Sequence, residues 1–423
     1  MRRVYLRGPT HDVRRPMPVG VIVTCAHVRL HLLELRGLCA PVPVMLRCGG
    51  GVAWRPCMVA AAASRRAAAW PVRAFSSSIV AGLQVARLPQ RGVLELTGRD
   101  TFKLLQGSIT NDIRHLESAQ DGGSDVFPAA FLTPQGRTIA DALLYAPPHT
   151  EQPTVLVELD RVVLNDVLST VQRFKLRSKV KLRDASSSWD VYHVWDAPSD
   201  ALPTTQSGAQ NAALVRRDIR APGLGWRLLV PAGAELPLEA SADRVGDDEY
   251  LAHRIVVGVP EGATDIPKES SMPLESCIDY MHGVDFHKGC YIGQELTART
   301  HYTGVVRKRI IPVRLTPQPD PIPEELQLDR SADMPVPEHG ADVRFAVPSK
   351  DGDQGTSPQR TRSAGKFLSG IHNVGLALLR LEQVAAARKP NGGHLFVEAQ
   401  DGRRVYLHGF EPSWWPQDGG EAD

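Results

Sequence analysis

HKGCYIGQELTAR, residues 287–299, sets a lysine and a glycine directly before a cysteine and then runs into a segment with the composition of a helix. What that thiol does decides how the rest of the chain is read. Cys290 beside the Lys288 ammonium, close to a helix N-terminus, is expected to stand in an electropositive setting, and both influences favour the thiolate. Gly289 has no Cβ and is expected to let backbone or ligand come close. Glu295 and Arg299 have the i, i+4 spacing of a surface ion pair.

One thiolate limits the chemistry. As a nucleophile it needs a base, and although His282 and His287 are near in sequence, no third orienting group accompanies them. A zinc or iron–sulfur site takes about four ligands. Beyond residue 78 the chain offers only Cys277 and Cys290. Cys277 lies in MPLESCIDYMHG, residues 272–283, where Leu274, Cys277, Ile278 and Met281 recur at the spacing of one helical face. The spacing predicts a helix with Pro273 in its first turn and Gly283 at its exit, and Cys277 as a small buried hydrophobe. If Cys290 binds iron, the other ligands come from a partner or a small molecule, which describes a transfer or assembly factor. A redox thiol would need a resolving cysteine, and none is near Cys290.

The 423 residues are 42% hydrophobic, enough for two or three globular domains. The net charge of +2 hides a split. Residues 1–78 hold twelve Arg, no Lys and only Asp12 and Glu34, so this leader is +10 and the remainder −8. Such a body is a poor wrapper of nucleic acid. Cys25, Cys39, Cys48 and Cys57 all lie in the leader, and no disulfide framework is implied. The apolar run Val19 to Leu33 is broken by His27, Arg29 and His31 and falls short of a spanning helix, so no membrane insertion is expected. MVAAAASRRAAAWPVRAFSSS, from Met58, is rich in Ala, Arg and Ser and free of acid, as a mitochondrial transit peptide is. Arg73, Phe75 and Ser76 fit cleavage after Phe75, and residues 1–57 are then an over-extension or a dispensable one.

From Leu83 short strands alternate with helices. VLEL (93–96) predicts a strand, RDTFKLLQGSI a helix with Phe102 and Leu105 on one face, and AAFLTPQGRTIADALLY (129–145) a hairpin about Thr133–Gly136. VLVEL (155–159) is a strand, RVVLNDVLSTVQRFKL an amphipathic helix with Val163, Val167 and Val171 in register, and KVKLRD a returning strand. The class is α+β. Residues 197–213 read as a polar loop. The stretch 316–338, with six prolines, and residues 349–365, low in apolar side chains, read as insertions or linkers. Around them RIIPVRL, DVRFAV, NVGLALLRL, HLFVEA and RRVYLHGF predict a C-terminal β domain, a small barrel.

KGCYIGQE closely resembles the signature of the YgfZ-type proteins, which are similar to the folate-dependent aminomethyltransferase of the glycine cleavage system. RGVLELTGRDTFKLLQGSITNDIR (91–114), the hairpin Phe131 to Tyr145, KLRSKVKLRD, DIRAPGLGWR, VPEGATDIPKESSMPLE and FLSGIHNVGLALLR resemble the family's segments in the same order. With the transit peptide, the likeness is to the mitochondrial branch, assembly factors for 4Fe-4S proteins. The resemblance implies two interleaved α+β portions around a central folate-sized cavity (residues 79–304), then a small β-barrel (305–416) with disordered insertions near 316–340 and 349–365, and a tail at 417–423. It also implies a cofactor-binding set of Lys288, Gly289, Cys290, Tyr291, Gly293, Gln294, Glu295 and Asp141, with Cys290 as the metal ligand.

Two departures bear on the competing reading, a tetrahydrofolate-dependent one-carbon (aminomethyl) transferase. The first residue of the transferases' acidic pair falls on Ala140, leaving Asp141, and their pterin-anchoring glutamate falls on Gly223. Loss of an anchoring carboxylate costs about 1–3 kcal/mol of pterin affinity. Tetrahydrofolate binding is thus left open and aminomethyl transfer is not expected. What the resemblance implies instead is a mitochondrial matrix factor for 4Fe-4S maturation, non-enzymatic, sharing a 2Fe-2S cluster through Cys290 with an A-type iron–sulfur assembly protein and serving client 4Fe-4S apoproteins.

Overall fold

The computed structural model describes residues 82–118, 123–196, 213–238, 242–346, 361–389, 392–398 and 402–416. The transit peptide with its cleavage after Phe75, nearly all of the 197–213 loop, residues 349–360 and the tail fall outside them.

The chain opens with β1 (Gln84–Arg87) and β2 (Arg91–Thr97), then α1 (Thr101–Gln106) and α2 (Arg114–Glu117). The expected hairpin is β3 (Phe127–Leu132) and β4 (Thr138–Tyr145), followed by β5 (Thr154–Asp160), α3 (Arg161–Lys175) and β6 (Lys181–Asp184). β2 to β6 form one five-stranded sheet in the order β3-β4-β5-β2-β6. Asp160 caps α3 by accepting from Val162 N at 2.9 Å, and Val163, Val167 and Val171 are buried on the sheet as their spacing predicts.

β1 belongs elsewhere. It joins β7 (Trp189–Trp195), β8 (Leu214–Arg217), β9 (Trp226–Pro231) and β10 (Asp243–Val245) in a second sheet, ordered β10-β1-β7-β9-β8. The chain therefore starts in one sheet, builds the other, and returns, which is the interleaving that the resemblance implies. α4 (Asp247–Val257), α5 (Gly262–Asp265) and α6 (Gln294–Thr303) complete the α+β region. Three acids in the first turn of α4 and a left-handed Gly258 just beyond its end suit the helix dipole and its free carbonyls.

β11 (Lys308–Thr316), β12 (Asp342–Ala346), β13 (Thr361–Ile371), β14 (Val374–Arg380), β15 (His394–Glu398) and β16 (Arg404–Gly409) close a six-stranded barrel in the order β11-β14-β13-β12-β15-β16, with α7 (Leu381–Ala387) after β14. Two expectations change here. Residues 361–365, read as part of a linker, begin β13 and pair with β12 and β14. The proline-rich stretch, read as a disordered insertion, lies against the barrel: Leu326 is buried in the core, Asn373 donates to Gln327 O at 3.0 Å, and Arg330 pairs with Glu249 at 2.7 Å.

Residues 272–283 are not a helix. Ile278 N donates to Pro273 O at 3.0 Å and Cys277 N to Leu274 O at 3.2 Å; five residues on, Gly283 N donates to Ile278 O at 2.8 Å and His282 N to Asp279 O at 3.2 Å. Cys277 and His282 have φ of 59°. These are two successive helical turns, each ended by the 6→1 and 5→2 hydrogen bonds of a Schellman motif with a left-handed residue at its C′ position. The apolar face survives the change, because Leu274, Cys277, Ile278 and Met281 are all buried.

Candidate functional site

The loop holding Cys290 is fastened from beneath. Lys288 is 5% exposed, and its ammonium donates to Gln106 O at 2.8 Å, Ile109 O at 2.8 Å and Asn111 O at 2.7 Å, carbonyls at and just beyond the C-terminus of α1. All three hydrogens are used, at the helix end that favours a cation. Burial pulls the ammonium down to about 8, opposed by Asp112 and Asp285. Asp285 Oδ1 receives the backbone N–H groups of His287 and Lys288, and Ile292 N donates to Gly107 O at 3.0 Å. The same connection ties the second Schellman turn, since Thr110 Oγ1 donates to Gly283 O and Asn111 Nδ2 to His282 O.

This corrects the expectation about Lys288. The ammonium is turned inward, to the backbone of residues 106–111, and lies 4.9 Å over the buried Tyr291 ring. It builds the loop that carries the thiol. Burial likewise pushes the Tyr291 hydroxyl up to about 12. Gly289 is exposed, and a Cβ there would meet nothing within 4 Å, so no other part of this chain comes close to it. Gly293 is the glycine that the geometry requires. It has φ of 80°, and a Cβ on it would lie 2.3 Å from Thr133 O in the β3–β4 turn. Gln294 and Glu295 open α6, Glu295 exposed in the first turn, and Glu295 makes no ion pair with Arg299 within 4 Å.

Cys290 itself is exposed and free. Among the described residues it belongs to no group of three His, Cys, Asp or Glu able to share an ion. The trio Asp112, His115 and Asp285 does come together nearby, but Asp112 is engaged by Arg114 and Gln106 and held well below the usual carboxylate range chiefly by the Arg114 hydrogen bonds. Cys277 is fully buried against Ile310 O at 3.4 Å, and burial pushes its thiol up to about 12. The exposed thiol is therefore available to an outside partner, and the buried one is not.

Asp141 is not brought to this loop. It sits on β4 in a second polar assembly, its Oδ1 accepting from Gly262 N at 3.0 Å and its Oδ2 standing 3.6 Å from Arg91. Arg91 donates to Glu158 at 2.8 Å, and Tyr145 donates to the other Glu158 oxygen at 2.7 Å. Arg227 donates to Tyr250 at 3.0 Å and to Glu261, which also pairs with Arg220 at 2.8 Å, and Arg220 is forked onto Asp218. Burial pushes the Glu261 carboxyl up, but Arg227, Arg91 and Arg220 outweigh it and hold it well below the usual range. Asp141, with less compensation, is raised by its burial. Sequence reasoning missed this lattice. The available signal was a lone charge inside an apolar strand, Glu158 in TVLVELD and Arg227 in WRLLVP.

The lattice also tests the fit of tetrahydrofolate. Ala140 is buried in the apolar core, and Gly223 is an exposed left-handed turn residue with open space around it. Arg91, Arg220, Arg227 and Arg254 face carboxylates of this chain, while Arg91 Nη1 and Arg227 Nε and Nη1 are buried without a hydrogen-bond partner. Neither Ala140 nor Gly223 carries the carboxylate that the transferases are expected to use as an anchor.

A family model described as the CAF17 C-terminal beta-barrel domain matches residues 307–417. The mitochondrial iron-sulfur cluster assembly factor IBA57 homolog of Mycosarcoma maydis is 42% identical over 350 residues, covering 79% of this chain and 85% of that protein. The chain belongs to the IBA57 family. Members from Aspergillus clavatus (35% identical, 80% of this chain and 79% of that protein) and Cryptococcus neoformans var. neoformans serotype D (35%, 72% and 85%) carry the same description. Iron–sulfur cluster assembly in mitochondria is thus the IBA57 family's named role. A crystal structure of the glycine cleavage system aminomethyltransferase T from Bartonella henselae shares the fold, with TM-score 0.55 at 12% identity, covering 79% of this chain and 86% of that one. The likeness of fold carries no activity across at that identity.

Proposed function

We propose that this chain is a mitochondrial matrix factor for 4Fe-4S maturation whose Cys290 supplies one ligand to a 2Fe-2S cluster shared with an A-type assembly protein, which then serves client 4Fe-4S apoproteins. The observation that carries the reading is the placement of Cys290: an exposed thiol on a loop pinned by a buried lysine, with no ligand set of its own. A thiolate is a soft ligand suited to iron–sulfur clusters. A rigid loop presents it at low entropic cost, and an incomplete ligand set leaves the cluster able to move on. The cluster is cargo here, so no catalytic residue is assigned.

The test is assembly of the protein with an A-type partner and a 2Fe-2S donor, read by size exclusion and visible absorbance. The wild type is expected to form a coloured complex and Cys290→Ser none at an unchanged melting temperature. A coloured complex of undiminished yield with Cys290→Ser would overturn the reading. Import is expected to remove the leader after Phe75, and N-terminal sequencing of the organellar protein that begins far from Ser76 would overturn the assigned cut.

A further inference from the structure

The turn between α3 and β6 stands out in an otherwise acidic body. Residues 173–183, RFKLRSKVKLR, hold six cations and no acid. Arg183 pairs with Glu95 at 2.7 Å. Arg173, Lys175, Arg177, Lys179 and Lys181 make no ion pair within 4 Å with any described residue. At the apex Leu176 is 87% exposed with φ of 46°, and Phe174 beside it is 37% exposed. The apex is held in place: Ser178 N donates to Lys175 O at 2.8 Å, and Lys179 N donates to the Asp100 carboxylate at 2.7 Å.

Lysines on an edge strand discourage pairing with other strands, and β6 is such an edge, which accounts for Lys181 and Arg183. It does not account for a leucine held outward at φ 46° and ψ −110°, a sparsely populated conformation that costs a side chain on the order of 1–3 kcal/mol. A groove of about 900 Å³, lined by Gln172, Lys175, Leu176, Lys181, Leu182 and the Glu95–Arg183 pair among others, runs beside the apex. A protruding apolar tip ringed by unpaired cations matches a planar surface with negative headgroups and an apolar interior. A single-stranded nucleic acid would call for stacking platforms, and Phe174 is the lone aromatic in the segment.

We propose that the α3–β6 turn is a peripheral docking tip for an anionic lipid surface, with Leu176 entering the headgroup boundary and Arg173, Lys175, Arg177, Lys179 and Lys181 contacting lipid phosphates. Among the described residues no helix is long and apolar enough to cross a membrane, so the contact is made from one side. The remainder of the body carries a net negative charge, so this cluster is set against an unfavourable background and favours approach by its own end. This inference is independent of Cys290.

The test uses residues 76–423, since every strand and helix described lies between Gln84 and Gly409 and the +10 leader would bind anionic vesicles by itself. Flotation with phosphatidylcholine vesicles carrying phosphatidylglycerol is expected to recover the protein at low salt, and pure phosphatidylcholine is not. The triple change Lys175→Gln, Arg177→Gln, Lys179→Gln should weaken partitioning on the order of a hundredfold, at about fivefold per charge. Leu176→Ser should weaken it roughly tenfold and leave the salt dependence in place. Leu176, Arg177 and Lys179 are exposed and Lys175 is half-buried, and thermal melts check folding. The proposal is overturned by failure to bind the anionic vesicles, by undiminished binding of the triple variant or of Leu176→Ser, or by equal retention on polyglutamate or single-stranded DNA.

Discussion

Lys288 reaches Asn111 across more than half of the folded chain and donates its ammonium hydrogen to that residue's carbonyl at 2.7 Å. The two flank the loop that presents Cys290, and the contact makes a prediction opposite to the one suggested by sequence adjacency. Lys288→Ala leaves three buried carbonyls without their donor and is expected to cost about 2–4 kcal/mol. Its melt should fall, and alkylation of Cys290 should speed up as the loop loosens. A variant with unchanged stability and a slowed thiol would show that the lysine acts on Cys290 through charge.

The close approach of Gly293 to the β3–β4 turn sets the other wall of the loop. Gly293→Ala adds a Cβ at φ of 80° and 2.3 Å from Thr133 O, and Gly136, across the contact, has the same φ and only 2.9 Å of room to Gly293 O. The left-handed conformation alone costs about 1–2 kcal/mol, and the overlap adds to it. Gly289→Ala, in open space, should melt like the wild type. Differential scanning of the two variants separates them, and equal melting temperatures would mean that the interlock of the two turns does not hold the loop.

The motif was legible and its mechanics were not. KGCYIGQE marks the Cys290 loop, yet the acceptors of Lys288 are backbone carbonyls nearly two hundred residues upstream, which no spacing rule reaches. Apolar periodicity placed α3, which has one face in the core, and short apolar runs placed the hairpin and five of the barrel strands, the hairpin being buried on both faces. It failed for TRSAGKFLSGI, where glycines and exposed polar residues dilute the alternation of β13. It mistook residues 272–283 for a helix because two Schellman turns five residues apart bury the same four side chains that a helix would. The buried charge lattice escaped for a different reason: its members come from several segments far apart in the chain, and only the fold brings them together.

That lattice predicts strong destabilisation by one-sided changes. Glu158→Gln removes the charge that faces Arg91 while both are almost fully buried, which is expected to cost about 3–5 kcal/mol. The pH dependence follows in sign. Glu261 and Asp218 have folded values below their unfolded ones, so the stability they contribute is complete above the ordinary carboxylate range, near 4. It begins to fall as pH drops through that range and is gone only below their lower folded values, whereas Asp141, raised by burial, works in the opposite sense. Denaturant titrations from pH 7 to pH 3 should show the loss in the wild type. Since Ala140 and Gly223 stand where the transferases are expected to carry carboxylates, calorimetry with tetrahydrofolate should show no tight binding, and submicromolar affinity would overturn that expectation.

The two cysteines of the body should behave as opposites. Cys290 is exposed, so iodoacetamide should label it in the native protein; Cys277, buried with its thiol pushed up to about 12, should react only once the chain unfolds. Cys277→Ser puts a hydroxyl into the apolar junction with the barrel, where the nearest acceptor is Ile310 O, and is expected to lower stability by about 1–3 kcal/mol. Cys290→Ser changes a side chain that already faces water and should melt as the wild type does. Mass mapping of the labelled sites, with melts of both variants, checks the pair of expectations in one preparation. Native labelling at Cys277, or a large loss of stability in Cys290→Ser with none in Cys277→Ser, would reverse the assignment of structural and functional thiol.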